Sequence, residues 1–585
     1  MSDTGTAEPN HGFEDSRRLT GPSRHFDGSA VTLTPLSRIA NDQKAHARWA
    51  ELMCVMAQQL GWPAPQTVVQ RHALGTILLA SAPQDMLMTA TEISEWAWET
   101  CLAESGIEQF DFAHELGGLA APAFVARAAA EQRPRLMALR GEAQARGLPM
   151  FEDDHEVSIG AGAGSCIWAI GMLPTLDSIP WASLHDVPTA LVTGSNGKTS
   201  TVRLLAAMAR AAGLRPGMCS TEGVVIDGEA LTLGDYSGPS GARTVLRDAR
   251  VQAAVLETAR GGMLRRGLAL TRADVAVVTN ISADHLGEYG IDSGIELAEV
   301  KLTVARVVQR GGTLVLKGAD ELLMAAAQRL PHAVAARQAL FALDEAHPRL
   351  RKHRDRGGSI CGASEGRLFL HQGDVAHDLG AIAGMPITLG GAASHNIENA
   401  AAAALAARAM GLPIVAIRYT LAQFGATPHD NPGRLERWPW RGATVLIDYA
   451  HNPDGLAQLM RVARALAPRR LGLLLGQAGN RDNGAIVELA RTAAGFAPDL
   501  IVIKELPLML RGRALGEVPA LLEAGLRQGG MRDGCWRYQP DEEAAAMQLL
   551  QWAQPDDVIA LPLHTHAVRA ALVATLQAAI GFSPP

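Results

Sequence analysis

The stretch Thr193-Gly194-Ser195-Asn196-Gly197-Lys198-Thr199-Ser200-Thr201 constrains this chain more than any other. The apolar run Thr189-Ala190-Leu191-Val192 leads into it as a short strand, and a helix leaves it through Leu204, Leu205, Met208 and Ala209. A strand, a glycine turn and a helix aim backbone N–H groups and the positive end of the helix dipole at one point, which suits a phosphate chain. Lys198 can reach the outer phosphates, and the Thr199 hydroxyl is placed to hold Mg²⁺. Two residues, Ser195 and Asn196, separate the glycines, where the common nucleotide-binding loop has about four. An ordinary glycine turn opening a helix is the plain alternative, and the strand, lysine and threonine together argue against it.

Strands and helices alternate on both sides of this loop. Ala253–Glu257, Val275–Thr279 and Thr313–Leu316 read as short buried strands, with helices between and after them ending in Ile397–Met410. Such alternation predicts a mostly parallel sheet with helices on both faces. Residues 340–380 interrupt it with hairpin-like segments. A second series begins after Asp430-Asn431-Pro432-Gly433, with strands at Thr444–Tyr449, Leu471–Gly476, Leu500–Lys504 and Val558–Leu561. Its helices fall at 455–467, 483–496, 517–528, 541–553 and 566–580. Upstream, residues 1–30 read as a polar, partly disordered lead-in. Residues 40–145 read as mainly helical, through Ala45–Leu60, Ala90–Glu104 and Pro122–Ala145. The expected fold is therefore α/β and multidomain: a mainly helical or α+β N-terminal domain with linker (1–185), a central phosphate-loop ATPase domain with a mostly parallel sheet (186–430), and a C-terminal Rossmann-like α/β domain (431–585).

Net charge is −7 and no Lys/Arg-rich run occurs, which leaves no basic surface for nucleic acid. The six scattered cysteines lack CxxC spacing and read as mostly buried thiols in a reducing cytoplasm. No apolar signal core is present, and no run approaches the roughly 18 apolar residues of a membrane span. A cytoplasmic protein is expected. A homo-oligomer is compatible with the sequence.

Carboxylates at the C-terminal ends of parallel strands face the ligand crevice. Glu257, ending Ala253–Leu256, is thus placed to share Mg²⁺ with Thr199. The next strand runs into Thr279-Asn280-Ile281-Ser282-Ala283-Asp284-His285, where His285 is a candidate ligand for a second cation with Asp284 behind it; a helix cap is the alternative. Lys301 sits on a predicted helix, where a surface lysine is the ordinary reading.

These residues, taken in order with His395-Asn396-Ile397-Glu398-Asn399-Ala400, Asn431-Pro432-Gly433-Arg434-Leu435-Glu436 and Asp448-Tyr449-Ala450-His451-Asn452-Pro453, resemble the Mur ligase superfamily. Within it, Glu257-Thr258-Ala259-Arg260-Gly261-Gly262 and Ile503-Lys504-Glu505…Arg511-Gly512-Arg513…Gly516-Glu517 are similar to the cyanophycin synthetase branch. The likeness extends more weakly to Leu19-Thr20-Gly21-Pro22, the helix around Thr91–Glu99, and Ala145–Pro149 with Ser158–Ser165. The body of that branch's ATP-grasp module has no counterpart, since the chain passes from Ser165 to the Mur-type part in about 25 residues. Where some relatives carry paired histidines in the N-terminal helix, this chain has Glu92, Glu95 and Trp96.

The resemblance implies an ATP-dependent, ADP-forming ligase that makes an amide or isopeptide bond through an acyl phosphate, akin to the Arg-adding half of the branch. It assigns Gly194, Ser195, Asn196, Gly197, Lys198, Thr199 and Ser200 to the ATP phosphates. It assigns Thr199 and Glu257 to one Mg²⁺, and His285 with a modified Lys301 to a second. Asn396 and Asn399 would read adenine; Arg434, Asp448 and His451 would contact the nucleotide from the C-terminal domain. Gly479–Asn483, Arg513 and Glu517 would approach the acceptor. The implied substrates are an amino acid and a small amino-acid derivative or Asp-containing peptide. A non-catalytic ATP- or polymer-binding regulator and a folylpolyglutamate-type ligase remain the alternatives.

Overall fold

Phe13–Leu19, within the expected lead-in, forms strand β1 of the computed structural model and pairs antiparallel with β2 (Ala30–Pro35). The structure describes residues 12–36, 38–107, 120–282, 286–330, 337–467 and 469–579. With β3 (Thr67–His72) and β4 (Gly75–Ser81) these strands make a sheet of order β1-β2-β4-β3. The lead-in expectation is thus corrected for residues 13–30. Its polar side chains are held by partners instead of water: Ser16 Oγ donates to Glu95 at 2.5 Å, and Arg17 pairs with Asp15 at 2.7 Å and lies 4.9 Å over Tyr289. Helices Gln43–Gln59, Leu87–Glu104 and Ala120–Glu131 pack on the sheet around Trp49 and Trp98, both fully buried. Their indoles donate to Ser94 O and Gly12 O, as buried indole N–H groups require. The single helix expected over Pro122–Ala145 is two, because Pro134 opens a new helix, Pro134–Ala145. Proline has no N–H to donate and biases the residue before it away from helical dihedrals.

A small antiparallel sheet follows, of β5 (Met150–Glu152), β6 (Glu156–Ile159) and β7 (Cys166–Ala169). The small-residue stretch between β6 and β7 is a tight turn: a Cβ on Gly160 (φ +81°) would lie 2.0 Å from Gly164 O. Ala163 N donates to Val251 O at 2.7 Å, tying this turn to the sheet that follows.

That sheet comprises β8 (Thr189–Thr193), β9 (Pro216–Ser220), β10 (Gly223–Ile226), β11 (Glu229–Leu233), β12 (Ala253–Glu257), β13 (Ala273–Val278), β14 (Val308–Lys317) and β15 (Arg337–Asp344). Its order is β11-β10-β9-β12-β8-β13-β14-β15, parallel from β9 to β15, with β10 and β11 an antiparallel edge that the sequence pattern does not reveal. β8 and β12 are buried throughout, adjacent and parallel in the middle of the sheet, so the glycine loop and Glu257 emerge side by side at their C-terminal ends. These elements, up to Phe341 in β15, belong to one compact unit, Met1–Phe341 with Ala402–Pro413.

The second unit is Ala342–Ala401 with Ile414–Pro585. The expected hairpin-like segment is an antiparallel meander of β16 (Ser359–Ser364), β17 (Arg367–Gln372) and β18 (Val375–Ala381). The C-terminal series forms a six-stranded sheet, β19-β20-β24-β21-β22-β23, from Glu436–Trp440, Ala443–Asp448, Leu471–Leu475, Leu500–Ile503, Trp536–Tyr538 and Val558–Pro562 in chain order. Only β19 is antiparallel. The five expected helices appear, from Pro453–Leu466 to His566–Ala579.

Candidate active site

The loop between β8 and helix Lys198–Ala211 is held from the side by the end of β13. Ser195 N donates to Asn280 O at 2.9 Å and Asn196 N to Asn280 Oδ1 at 3.0 Å. Asn280 Nδ2 and Thr279 Oγ1 both donate to Asn196 O, at 3.0 and 2.6 Å, and Ser282 N donates to Ser195 Oγ at 3.0 Å. Two loop amides expected to face phosphate are therefore engaged with Asn280. The helix begins directly after left-handed Gly197 (φ +83°), and a helix N-terminus beside a lysine ammonium is a site that can take an anion. Lys198 Nζ lies 3.1 Å from both Gly194 O and Ser195 O, folded back over the loop.

Gly194 is required by contact as well as by conformation. Its φ is +145°, and a Cβ there would lie 1.8 Å from Thr279 Oγ1. Gly194→Ala should therefore strain the loop by about 1–3 kcal/mol and weaken binding of an ATP analogue roughly tenfold, read by fluorescence titration.

Beside the loop, the Thr199 hydroxyl donates to Glu257 Oε2 at 2.8 Å. Glu257 is 1% exposed, and its Oε1 is buried without a hydrogen-bond partner among the described residues. A buried carboxylate oxygen left unpaired is costly unless something satisfies it. A hard cation does so, and hydroxyl and carboxylate oxygens are the donors that Mg²⁺ takes. These residues fit the ion that the sequence implies. Among the described residues no three His, Cys, Asp or Glu side chains gather as a metal centre. Asp284 and His285 lie outside the described residues, so the expected second cation site is seen only through Lys301, which is buried at the end of helix Gly294–Lys301 and not on the surface. A small cavity of about 20 Å³ lies against Glu257, lined also by Leu191, Gly238, Pro239, Thr258 and Met263. The neighbouring Cys219 is no nucleophile: burial pushes its thiol far above the usual range. Of the six cysteines three are buried and Cys54 is exposed.

In the second unit, Asn396 Nδ2 donates to Ile387 O at 2.9 Å and Asn399 Nδ2 to Asn396 Oδ1 at 3.1 Å, so Asn396 ties the 387 turn to its helix and orients Asn399. Arg434 follows Gly433 (φ +69°) and lies 4.8 Å over the Tyr449 ring. Asp448 accepts from Leu435 N at 2.7 Å; burial raises its pKa, against the pull of the Arg434 charge. His451 Nδ1 is 3.0 Å from Tyr449 O. Arg434, Asp448 and His451 thus gather at the end of β20. Arg513 pairs with Glu517 and donates to Gly479 O and Arg481 O at 2.8 and 2.6 Å, holding the 479–482 loop in place. Sequence reasoning did not find the clamp made by Thr279, Asn280 and Ser282; its signal was the run of short polar residues closing a strand opposite the glycine turn.

Two family models match the chain: the Mur ligase middle domain over residues 192–407, and the Mur ligase glutamate ligase domain over 433–561. A cyanophycin synthetase from Synechocystis is 37% identical over 356 residues, covering 61% of this chain and 40% of that protein. One from Crocosphaera subtropica is 36% identical over 354 residues, covering 60% and 40%. The UDP-N-acetylmuramoyl-L-alanyl-D-glutamate–2,6-diaminopimelate ligase of Xanthomonas campestris is 30% identical over 383 residues, covering 63% and 70%. The chain spans about 40% of the length of the cyanophycin synthetases it matches.

Proposed function

The chain belongs to the Mur ligase family, and from that premise we propose that it joins a carboxylate to an amine at the expense of ATP, releasing ADP and phosphate. A carboxylate oxygen attacks the γ-phosphorus and ADP leaves. The amine nitrogen then attacks the acyl carbon, gives up a proton, and phosphate departs carrying one former carboxylate oxygen. The observation that carries this reading is the Thr199–Glu257 pair beside the Lys198 loop, with one buried carboxylate oxygen unpartnered. A pure nucleotide binder has no need of it.

In this reading Lys198 lies against the outer phosphates and offsets charge that builds on their oxygens. Thr199 and Glu257 would hold Mg²⁺, which neutralises phosphate charge when bound. His285 and a modified Lys301 would serve a second cation, Asn396 and Asn399 the adenine, and Arg434, Asp448 and His451 the nucleotide. The carboxylate belongs to an Asp-containing peptide or small amino-acid derivative, and the amine to an amino acid. The kinship with cyanophycin synthetases supports that choice, and the abundance of ATP in the cytoplasm suits that location. No helix among the described residues is long and apolar enough to cross a membrane.

Phosphate release from ATP tests the proposal, measured with Mg²⁺, single amino acids, and each amino acid paired with β-Asp dipeptides. Release is expected only when carboxylate and amine substrates are both present, with a product heavier by the amine minus water. No stimulation anywhere in the panel would sink the ligase reading.

A further inference from the structure

The motif Ile503-Lys504-Glu505 has no role in the chemistry above, yet Lys504 is a fully buried lysine at the end of β22. Its ammonium pairs with Glu542, the first residue of helix Glu542–Trp552, and donates to Pro562 O at 2.5 Å, at the end of β24. Burial lowers the lysine to about 8, and the Glu542 charge opposes that fall. Glu542 in turn accepts from His564 N at 2.9 Å and Thr565 N at 3.1 Å. One ion pair therefore fixes the segment Pro562–Thr565 that leaves β24. Gly476 makes room for the lysine stem, since a Cβ there would lie 2.6 Å from Lys504 Cγ.

That segment is pressed against the end of β20. Leu563 N donates to Asp448 O at 2.9 Å, and His564 Nε2 is 3.2 Å from Ala450 O. Burial pushes the His564 pKa well below its usual value, with Lys504 and His451 adding to the effect, so the ring is neutral and its Nε2 carries the proton toward that carbonyl. The ring meets Tyr449 edge-on, 5.3 Å between centroids, while His451 and Arg434 pack on the same tyrosine at 5.6 and 4.8 Å. Lys504 and Glu542 thus tie the end of β24 to the end of β22, and Leu563 and His564 carry that tie to Asp448, Tyr449 and Ala450 at the end of β20.

Stability does not explain the arrangement. A buried ion pair is often replaced by apolar residues at no cost. We propose that Lys504, Glu542 and His564 are positioning residues that hold Arg434, Asp448 and His451 in the orientation in which they meet the nucleotide; this rests on the reading that this strand end faces ATP. Neutral substitution should keep the fold and lose the aim.

The test uses the full chain and calorimetric binding of AMPPNP with Mg²⁺. Lys504→Met combined with Glu542→Gln, which keeps an acceptor for the His564 and Thr565 amides, should melt within a few degrees of wild type and bind AMPPNP roughly tenfold more weakly, a loss of about 1.4 kcal/mol. His564→Leu, which leaves the ion pair intact, should show the same loss, and His564→Gln should recover part of it by donating to Ala450 O. Wild-type affinity in His564→Leu overturns the proposal even if the double variant fails to fold. Arg434→Ala separates the two levels. Weaker binding there with normal His564→Leu binding defeats the positioning role alone, and normal Arg434→Ala binding defeats the reading on which it rests.

Discussion

Lys198→Ala should lower ATP-dependent product formation by on the order of 10²–10³-fold, the loss typical of deleting one preorganised charge at a developing anion. The ammonium sits within 3.1 Å of two loop carbonyls, Gly194 O and Ser195 O, at the start of helix Lys198–Ala211. Besides the two bonds from Lys198, the loop is held by Asn280, Thr279 and Ser282. Its shape therefore survives the substitution, and melting temperature should stay within a few degrees of wild type. Lys198→Arg keeps the charge on a bulkier head and should recover only part of the rate. Steady-state kinetics beside a thermal melt separates these outcomes. A Lys198→Ala protein with wild-type turnover would remove ATP chemistry from this loop.

Glu257→Gln should produce the opposite signs for stability and activity. The Glu257 carboxylate has one oxygen satisfied by Thr199 and one buried without a partner among the described residues. An unsatisfied buried polar group costs about 1–3 kcal/mol, more when charged. Removing the charge should leave the apo protein at least as stable as wild type. The same change removes the anionic donor for Mg²⁺, so turnover should fall on the order of 10²-fold, and the rise in melting temperature on adding Mg²⁺ and ATP should shrink. Differential scanning calorimetry with and without the nucleotide checks both halves. A destabilised apo protein that keeps its ligand-induced shift would mean that Glu257 is a structural acid.

The parts of the fold that were legible share one property. β12, β21, β22 and β24 are buried along their length, and strands buried on both faces read as continuous apolar runs. β1 (FEDSRRL) escaped because its polar residues find partners far along the chain, such as Glu95 for Ser16 and Tyr289 for Arg17. β9 escaped behind Pro216 and Gly217, residues that ordinarily mark a turn. In the site, Lys198, Thr199 and Glu257 could be placed from the strand-turn-helix pattern and the rule for strand ends. Asn280 was legible as a motif residue but not as a clamp, since its partner Asn196 lies 84 positions away. Lys504 inverts the usual expectation that lysines are exposed, and only the glycine at 476 and the acid at 542 explain how it is buried.

Oxygen-18 in the donor carboxylate gives the most direct test of acyl-phosphate ligation by this chain. The carboxylate substrate found in the phosphate-release panel is labelled in both oxygens and turned over with unlabelled ATP in ordinary water. Mass analysis should find one labelled oxygen in each released phosphate and the other in the new amide, with ADP unlabelled. Phosphate free of label, with ATP consumed and amide formed, would contradict activation of the carboxylate at the Lys198 loop.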